Sequence, residues 1–263
     1  MNIFFRICVK SIQKQLAYQK AAIAGLFTNF FFGLLRAAVL TALYGSRNIV
    51  TGLSLDSAIT YTGIAQAIIG FLSLFSWYDL MQSVYTGAVA TDLLKPFNYY
   101  RFWMAQDLGR ALAQLVLRGL PIMVFYALFF NITLPTSWQQ WLFFTITLAL
   151  AWSISFSWRF LLNLSSFWIP NAVGILRFGF LLSWFLSGFL MPLRYFPDWF
   201  IKLCYLTPFP HMVNTIAEIF LGVVDEANMI KAVVMQLIWA FGLMLISQLV
   251  LKSGIRRLVI LGG

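Results

Sequence analysis

The most constraining feature of this 263-residue chain is a long stretch without a charged side chain. Between Arg118 and Arg159 lie forty consecutive uncharged positions, most of them Leu, Phe, Ile, Trp, Ala or Thr. A chain of this length cannot shield so much apolar surface inside a soluble core. The stretch is long enough to cross a bilayer, turn near residues 131–138 and cross back, because one crossing takes about 20 residues. The sequence therefore predicts a membrane protein.

Composition extends this conclusion to the whole chain. Hydrophobic residues make up 61% of it and charged residues 10%, whereas an ordinary soluble domain has about 25% charged residues. We predict one polytopic transmembrane domain over residues 1–263. The net charge of +10 does not indicate nucleic-acid binding, because the basic residues flank apolar spans and suit membrane orientation and anionic lipid. Two distant cysteines and one histidine predict no metal site.

The N-terminal residues have the pattern of an interfacial helix. An apolar stripe and a basic stripe recur at helical spacing on opposite sides of residues 3–18. The apolar stripe consists of Phe4, Cys8, Ile12 and Leu16, and the basic stripe of Arg6, Lys10 and Lys14. This pattern predicts a helix lying on the membrane surface. The alternative is the solvated start of the first span.

Six transmembrane helices are predicted from the apolar segments. They lie near residues 21–44, 58–84, 107–130, 139–160, 170–191 and 227–251. Lys and Arg residues outside the spans divide twelve to four between the two sides. Because the more basic side faces the cytoplasm, both termini are predicted to be cytoplasmic.

The predicted external segment 192–226 is rich in aromatic residues. The residues that mark it are Pro192, Phe196, Pro197, Trp199, Pro208 and Phe209. Such residues suit the membrane interface, where non-helical backbone must be covered by protein. We therefore predict short re-entrant helices broken at Pro197 and Pro208. A folded external cap is the alternative.

The predicted cytoplasmic loop 86–106 contains a short helix with docking potential. Gly87 breaks the preceding helix, residues 88–95 can form two turns, and Pro96 cannot continue them. The side chains available for a partner are Thr91, Asp92, Leu93, Leu94, Lys95, Pro96 and Phe97. The same pattern also fits an ordinary capped helix in a loop.

These segments together resemble the permease subunits of ABC-2 type transporters. Residues 87–96 have the pattern Gly-x-x-x-x-Asp-Leu-Leu-Lys-Pro, residues 187–192 have Ser-Gly-x-x-x-Pro, and residues 196–199 have Phe-Pro-x-Trp. The resemblance covers essentially the whole chain. It implies an all-α, type V exporter-like fold with an elbow helix at 1–20, a coupling helix in the 86–106 loop and re-entrant helices before the last span.

The resemblance also implies partners and a location. A working transporter would contain two permease chains and two ABC ATPase subunits, with the coupling helix seated on the ATPase. The permease would lie in a bacterial cytoplasmic (inner) membrane and export its substrate. This chain contains no Gly-x-x-x-x-Gly-Lys phosphate loop. We therefore expect ATP and Mg²⁺ to be bound by the partner ATPase, and no cofactor or catalytic residue in this chain.

Two arginines fall inside the predicted spans. Arg118 is near the middle of the third span, where its charge must face protein or water. It either lines the translocation path and meets an anionic group of the substrate, or binds carbonyls freed near Pro121. Arg36 lies nearer the external end of the first span and is a second candidate for the path. We predict that it pairs with Glu218.

Small residues on the fifth span suggest a helix contact. Gly179, Ser183 and Ser187 recur every fourth position, and small side chains let helices approach closely. Because the resemblance places the permease–permease interface on spans one and five, we predict that they contact the second permease. Packing within the chain is the alternative.

An ion-coupled secondary carrier is the alternative function. Such carriers need carboxylates inside the membrane, whereas Asp79 and Asp107 are predicted to lie at the ends of spans. A membrane-embedded enzyme or assembly factor would need clustered His, Asp or Glu residues, which the sequence lacks. The permease function is therefore favoured.

Overall fold

A computed structural model describes residues 2–17, 19–169 and 171–257. Helices form most of it, and the only strands in these ranges are β1 (Ile49–Val50) and β2 (Leu53–Ser54), which pair as an antiparallel hairpin. In chain order the helices are α1 (Ile3–Ala17), α2 (Gln19–Tyr44), α3 (Leu55–Leu72), α4 (Asp79–Tyr85), α5 (Val89–Leu93), α6 (Tyr99–Gln114), α7 (Leu120–Phe129), α8 (Trp138–Leu164), α9 (Val173–Leu186), α10 (Asp198–Tyr205), α11 (Asn214–Phe220) and α12 (Glu226–Ile255). The predicted all-α polytopic class is confirmed.

Five helical segments in the described part are long and apolar enough to cross a membrane. They are Ile23–Tyr44, Leu55–Leu72, Tyr99–Phe129, Trp138–Phe167 and Glu226–Ile255. They match the predicted first, second, third, fourth and sixth spans. The predicted fifth span corresponds to α9, which has 14 residues. At 1.5 Å per residue α9 is about 21 Å long, which is shorter than the hydrocarbon layer of about 30 Å.

Helix α3 ends well before the predicted end of the second span, so that boundary is wrong. It stops at Leu72, where Ser73 adopts a left-handed backbone conformation with φ of 49°. Side chains from other helices bind the carbonyls at this end. Ser155 Oγ donates to the Leu72 carbonyl at 2.7 Å, and Arg110 donates to a carbonyl two residues earlier at 2.9 Å. Because these bonds satisfy the terminal carbonyls, the apolar sequence that follows does not need to continue the helix.

Helices α6 and α7 form one rod, joined by a π-helical turn over Leu115–Gly119. The rod begins at Tyr99, about two turns before the predicted start of the third span. Asn98 sets this start, because its side chain accepts a hydrogen bond from the backbone N–H of Arg101 at 3.0 Å. The π turn directly precedes Pro121, which has no N–H to give to the regular helical pattern.

Helix α3 is the centre of the bundle. In an apolar 18-residue window of α3, 78% of the residues are buried. In the corresponding windows of α2, the α6–α7 rod and α12, 22% are buried. Helices α2, α6, α7 and α8 all pack against it, and α12 packs along the outer side of α8. Gly63 leaves room on α3 for the Tyr126 ring. The Tyr61 hydroxyl ties α3 to the turn after α9 by donating to the Gly188 carbonyl at 2.8 Å.

Helix α1 lies along α6 and is confirmed as a helix over Ile3–Ala17. Cys8 is buried in this contact, and Gly109 permits it because a Cβ there would collide with the Cys8 carbonyl oxygen. Phe5 and Val9 remain exposed on another side of α1. Tyr18, at the predicted end of this helix, lies outside the described residues. The location of α1 on a membrane surface stays a prediction.

The predicted helix breaks at Pro197 and Pro208 are confirmed. Helix α10 begins directly after Pro197, and a 3₁₀ turn over Phe209–Met212 begins directly after Pro208. Phe209 is buried, with its ring centre 5.1 Å from that of Trp158 on α8. Helix α11 is buried against α8 and α3. Residues Pro192, Phe196 and Trp199 flank or begin α10. Re-entry of these helices into the membrane stays a prediction.

Candidate functional site

The loop between α4 and α6 presents a short helix away from the bundle. Gly87, in a left-handed conformation with φ of 77°, ends α4 and reverses the chain. Helix α5 follows with a single turn, shorter than the two turns predicted for 88–95. Val89 is fully buried and anchors it, whereas Leu94 is 84% exposed at its end. A large apolar side chain held in this way is suited to contact with another protein.

Charged side chains brace this loop from within. Asp92 accepts a hydrogen bond from the Ser83 hydroxyl at 3.1 Å and forms an ion pair with Lys95 Nζ at 2.6 Å. The Lys95 ammonium also lies 4.8 Å from the centre of the Phe102 ring on α6. Thr91 and Pro96 are exposed, while Leu93 and Phe97 are half-buried. The exposed side of the loop therefore consists of Thr91, Leu94, Lys95 and Pro96.

A buried ionic cluster lies where α3, α6 and α8 meet. Asp107 binds the Arg159 guanidinium through both carboxylate oxygens at 2.9 Å. It also binds Arg110 at 2.9 Å and accepts a hydrogen bond from the indole N–H of Trp152 at 2.9 Å. The predicted third span starts at Asp107, whereas the helix starts at Tyr99, so Asp107 lies about two turns inside the helix. Its position relative to the membrane boundary stays a prediction. Within the described residues this carboxylate is fully engaged.

This cluster was not predicted from the sequence. Asp107 and Arg110 are three residues apart on one helix, which is a recognisable pair. Arg159 ends the long uncharged stretch, at the predicted end of the fourth span. Its side chain is 1% exposed. The signal for the cluster in the sequence was a cation, Arg159, at the edge of one apolar segment and an anion, Asp107, at the edge of another.

A cavity of about 590 Å³, here named the arginine cavity, lies between α2, α3, α6 and the turn after α9. Three arginines line it, namely Arg36, Arg110 and Arg118. No carboxylate occurs among its described lining residues. Its apolar walls include Phe32, Trp184 and Phe189. The cavity therefore combines net positive charge with aromatic surface in the interior of the bundle.

Arg118 spans from α6 to α2. Its Nη2 donates to the Gly25 carbonyl at 2.9 Å and to the Asn29 side-chain oxygen at 3.2 Å. The alternative that it binds carbonyls freed near Pro121 is wrong, because both acceptors belong to α2. The Nε of Arg118 and the side-chain nitrogen of Asn29 are buried without a hydrogen-bond partner among the described residues. Both nitrogens are enclosed by protein atoms, so an acceptor in the cavity could pair with them only after these side chains turn toward it.

Arg36 lies at the other end of the same cavity. Its Nη1 donates to the Phe189 carbonyl at 2.9 Å, and its guanidinium lies 4.3 Å from the centre of the Phe189 ring. The predicted pair with Glu218 is wrong, because Glu218 binds Arg194 at 2.9 Å. No acidic partner of Arg36 occurs in the described part of the chain.

The small residues of α9 face inward. Gly179 packs against Leu162 of α8, and Ser183 and Ser187 are almost completely buried within this single chain. The prediction that they contact a second permease is wrong, because they have no surface left for it. The three small residues do lie on one side of α9, as their spacing predicts. The sequence does not show whether that side faces the chain's own core or a second chain. Phe178 and Phe185 occupy the exposed side.

Comparison with known families assigns the chain. The family model described as "ABC-2 family transporter protein" matches residues 30–262. The chain belongs to the ABC-2 transporter family. A comparison with curated proteins finds no match. The ABC-2 protein is thus a multi-pass membrane permease component of an ABC transporter, a class that works with ABC ATPase partners. The exposed α5 loop and the arginine cavity are the two features of this permease that need a functional explanation.

Proposed function

We propose that this chain is the permease subunit of an ABC exporter whose ATP is hydrolysed by a separate ATPase subunit that binds ATP and Mg²⁺. Residues 1–263 form one transmembrane domain in a bacterial inner membrane, with both termini in the cytoplasm and α1 as the elbow helix. The observation that carries the proposal is the position of Leu94, 84% exposed beside a helix anchored by a fully buried Val89. This geometry fits the coupling helix that the family resemblance places in the 86–106 loop.

The loop is connected to the bundle in a way that can transmit force. Helix α4, from which the loop projects, packs on α8. Asn163 on α8 accepts a hydrogen bond from the Met81 backbone at 3.0 Å and donates to the Trp77 carbonyl at 2.9 Å. Displacement of α5 by a closing ATPase would therefore pull on α8 and on the segment after α3. Such coupling needs two discrete packings of the bundle, biased by ATP binding.

The second permease belongs on the uncovered faces of α2 and α9. Phe27 and Phe31 of α2 are 68% and 65% exposed, and Phe178 and Phe185 of α9 are also exposed. These two helices border the arginine cavity. A second permease chain placed here would close the cavity toward the lipid, so that the substrate path would run between the two chains.

Cysteine cross-linking tests the proposal. In a variant with Cys8 and Cys204 replaced by Ser, Leu94→Cys should cross-link to an ABC ATPase co-expressed with this permease. Leu206→Cys is the matched control, because Leu206 is 75% exposed but lies in the predicted external segment. Capture of the ATPase by Leu94→Cys and not by Leu206→Cys supports the proposal. Equal capture, or none at Leu94→Cys, contradicts it.

A further inference from the structure

A second cavity adjoins the arginine cavity. It has a volume of about 370 Å³, lies between α1 and the start of α6, and is named the α1 cavity here. Arg110 lines both cavities. Gln114 lines the arginine cavity and Gln15 lines the α1 cavity. The side-chain nitrogen of Gln114 donates a hydrogen bond to the side-chain oxygen of Gln15 at 3.1 Å. Arg110 and the Gln114–Gln15 pair therefore lie at the boundary between the two spaces.

The α1 cavity is also basic. Three cations of α1 line it, Arg6, Lys10 and Lys14, in addition to Arg110. Its acidic lining residues are Asp79 and Asp107, and Asp107 is already bound by two arginines. The basic stripe that the sequence assigns to an interfacial helix thus borders a cavity rather than open solvent alone.

The cations follow one another along the bundle. Arg110 and Arg118 are eight positions apart on one rod, which is about 12 Å at 1.5 Å per residue. Arg118 contacts α2 at Asn29, and Arg36 lies seven positions further along α2, which is about 10 Å. Helices α2 and α6–α7 run in the same direction here, because Gly25 lies beside Arg118 and Gly33 beside Tyr126. The cations therefore form a series from the α1 end inward.

We propose that the α1 cavity and the arginine cavity are one route for the anionic headgroup of an amphiphile, which is the substrate class of this permease. This inference rests on the proposed transport function. The headgroup passes Lys10 and Lys14, then Arg110, and reaches Arg118 and Asn29, which turn their unpaired nitrogens toward it when it binds. Phosphate or carboxylate oxygens match these donors, because guanidinium and amide N–H groups bind such acceptors strongly.

The walls of the route favour an amphiphile over a free anion. Phe32, Trp184 and Phe189 line the arginine cavity, and Phe32 also belongs to the exposed side of α2. An acyl chain could lie along this aromatic surface while the headgroup stays among the arginines. A volume of about 590 Å³ falls in the range of pockets that hold small ligands, and it is large enough for a headgroup.

Binding to the purified chain tests the proposal without an ATPase. The chain is placed in phosphatidylcholine nanodiscs and titrated with fluorescent short-chain phosphatidic acid, short-chain phosphatidylcholine as the neutral comparison, and inorganic phosphate as competitor. We expect phosphatidic acid to bind at least about tenfold more tightly than phosphatidylcholine, as charge-assisted hydrogen bonds imply. Arg118→Gln and Arg36→Gln should each remove most of this preference, whereas Arg118→Lys should retain part of it.

The control variant is Lys202→Gln, since Lys202 is an exposed cation in the predicted external segment. It should bind like the unchanged chain. If Arg118→Gln does not fold, Lys10→Gln on the surface of α1 provides the same test. Equal affinity for the two lipids, or no effect of the arginine variants, overturns the proposal. Displacement by inorganic phosphate at the affinity of phosphatidic acid overturns the amphiphile class. Cross-linking at Leu94 uses no lipid, so failure of one experiment is distinguishable from failure of the other.

Discussion

Asp107 on α6 and Arg159 on α8 form a buried two-pronged ion pair, in which each carboxylate oxygen accepts a hydrogen bond from a different guanidinium nitrogen at 2.9 Å. Arg110 shares the same carboxylate and also reaches the end of α3. One acidic side chain therefore holds three helices together. It also serves as the anionic partner of two arginines, so the three side chains together keep one net positive charge inside the bundle.

Removal of this carboxylate charge should destabilise the fold. Asp107→Asn leaves Arg159 and Arg110 without an anionic partner, and a buried charge that loses its partner costs about 3–5 kcal/mol. Thermal unfolding of the purified variant in detergent should show this loss. Asp198→Asn is the control, because Asp198 is exposed and its replacement should cost less than about 1 kcal/mol. An Asp107→Asn protein that is as stable as the control but inactive would instead favour an ion-coupled carrier.

A second prediction concerns a variant that displaces the Arg118 guanidinium but keeps every charge of the protein. In Gly25→Ala the new Cβ would lie 2.6 Å from Arg118 Nη2, so the guanidinium must leave the Gly25 carbonyl. Alanine in a helix gains about 1 kcal/mol over glycine, and the lost charged hydrogen bond costs about 1.5–3 kcal/mol. We therefore expect a small net destabilisation. Gly242→Ala, where a Cβ meets no atom within 4 Å, should be stabilising in the same unfolding measurement.

Replacement of Gly109 should detach α1 from α6. A Cβ at Gly109 collides with backbone of α1 at Cys8, which cannot move aside as a side chain could. In Gly109→Val the buried Cys8 thiol should react with a maleimide much faster than in the unchanged chain. Cys204, which is fully buried in α10, provides the internal reference and should stay protected. Labelling of both cysteines at the same increased rate would indicate general unfolding and contradict a local effect. The control variant Gly174→Ala should change the labelling rate of neither cysteine.

Acid should weaken the fold through His211. Burial lowers the pKa of His211 to about 4, compared with about 6.5 for the unfolded chain. Between these values only the unfolded state binds the proton, so the free energy of unfolding falls by up to about 1.4 kcal/mol per pH unit as the pH decreases. Above about pH 6.5 this contribution is constant. Unfolding should be followed from pH 7.5 to pH 5.

The control for this pH effect is His211→Gln, which cannot take up a proton in this range. It also retains an acceptor for the Thr215 hydroxyl, which lies 3.3 Å from the His211 Nδ1. The slope of stability against pH should be smaller in His211→Gln than in the unchanged chain. Identical slopes in the two proteins would contradict this prediction.

Local chemistry made several boundaries predictable. Pro197 and Pro208 cannot continue a helix from the residues before them, so a new helical segment begins directly after each. Gly87 supplies the left-handed turn that ends α4. The long uncharged stretch after Arg118 correctly indicated two membrane-length helices with a turn between them. These features depend on residues that are near one another in the chain.

The features that sequence reasoning missed depend on distant residues. Helix α3 ends at Leu72 because Arg110 and Ser155 bind its last carbonyls, and neither lies in the same segment. Likewise, the inward rotation of α9 places Ser183 in the core, and nothing in a period of four fixes that rotation. The three arginines of the arginine cavity come from two helices, so only the packing brings them together.

The tethered end of α3 limits which parts of the permease can be displaced. With its final carbonyls bonded to Arg110 of α6 and Ser155 of α8, α3 should move together with these two helices as one unit. Helices α2 and α9 keep much of their outer surface uncovered. A pull transmitted from α5 to α8 would therefore shift this three-helix unit relative to α2 and α9.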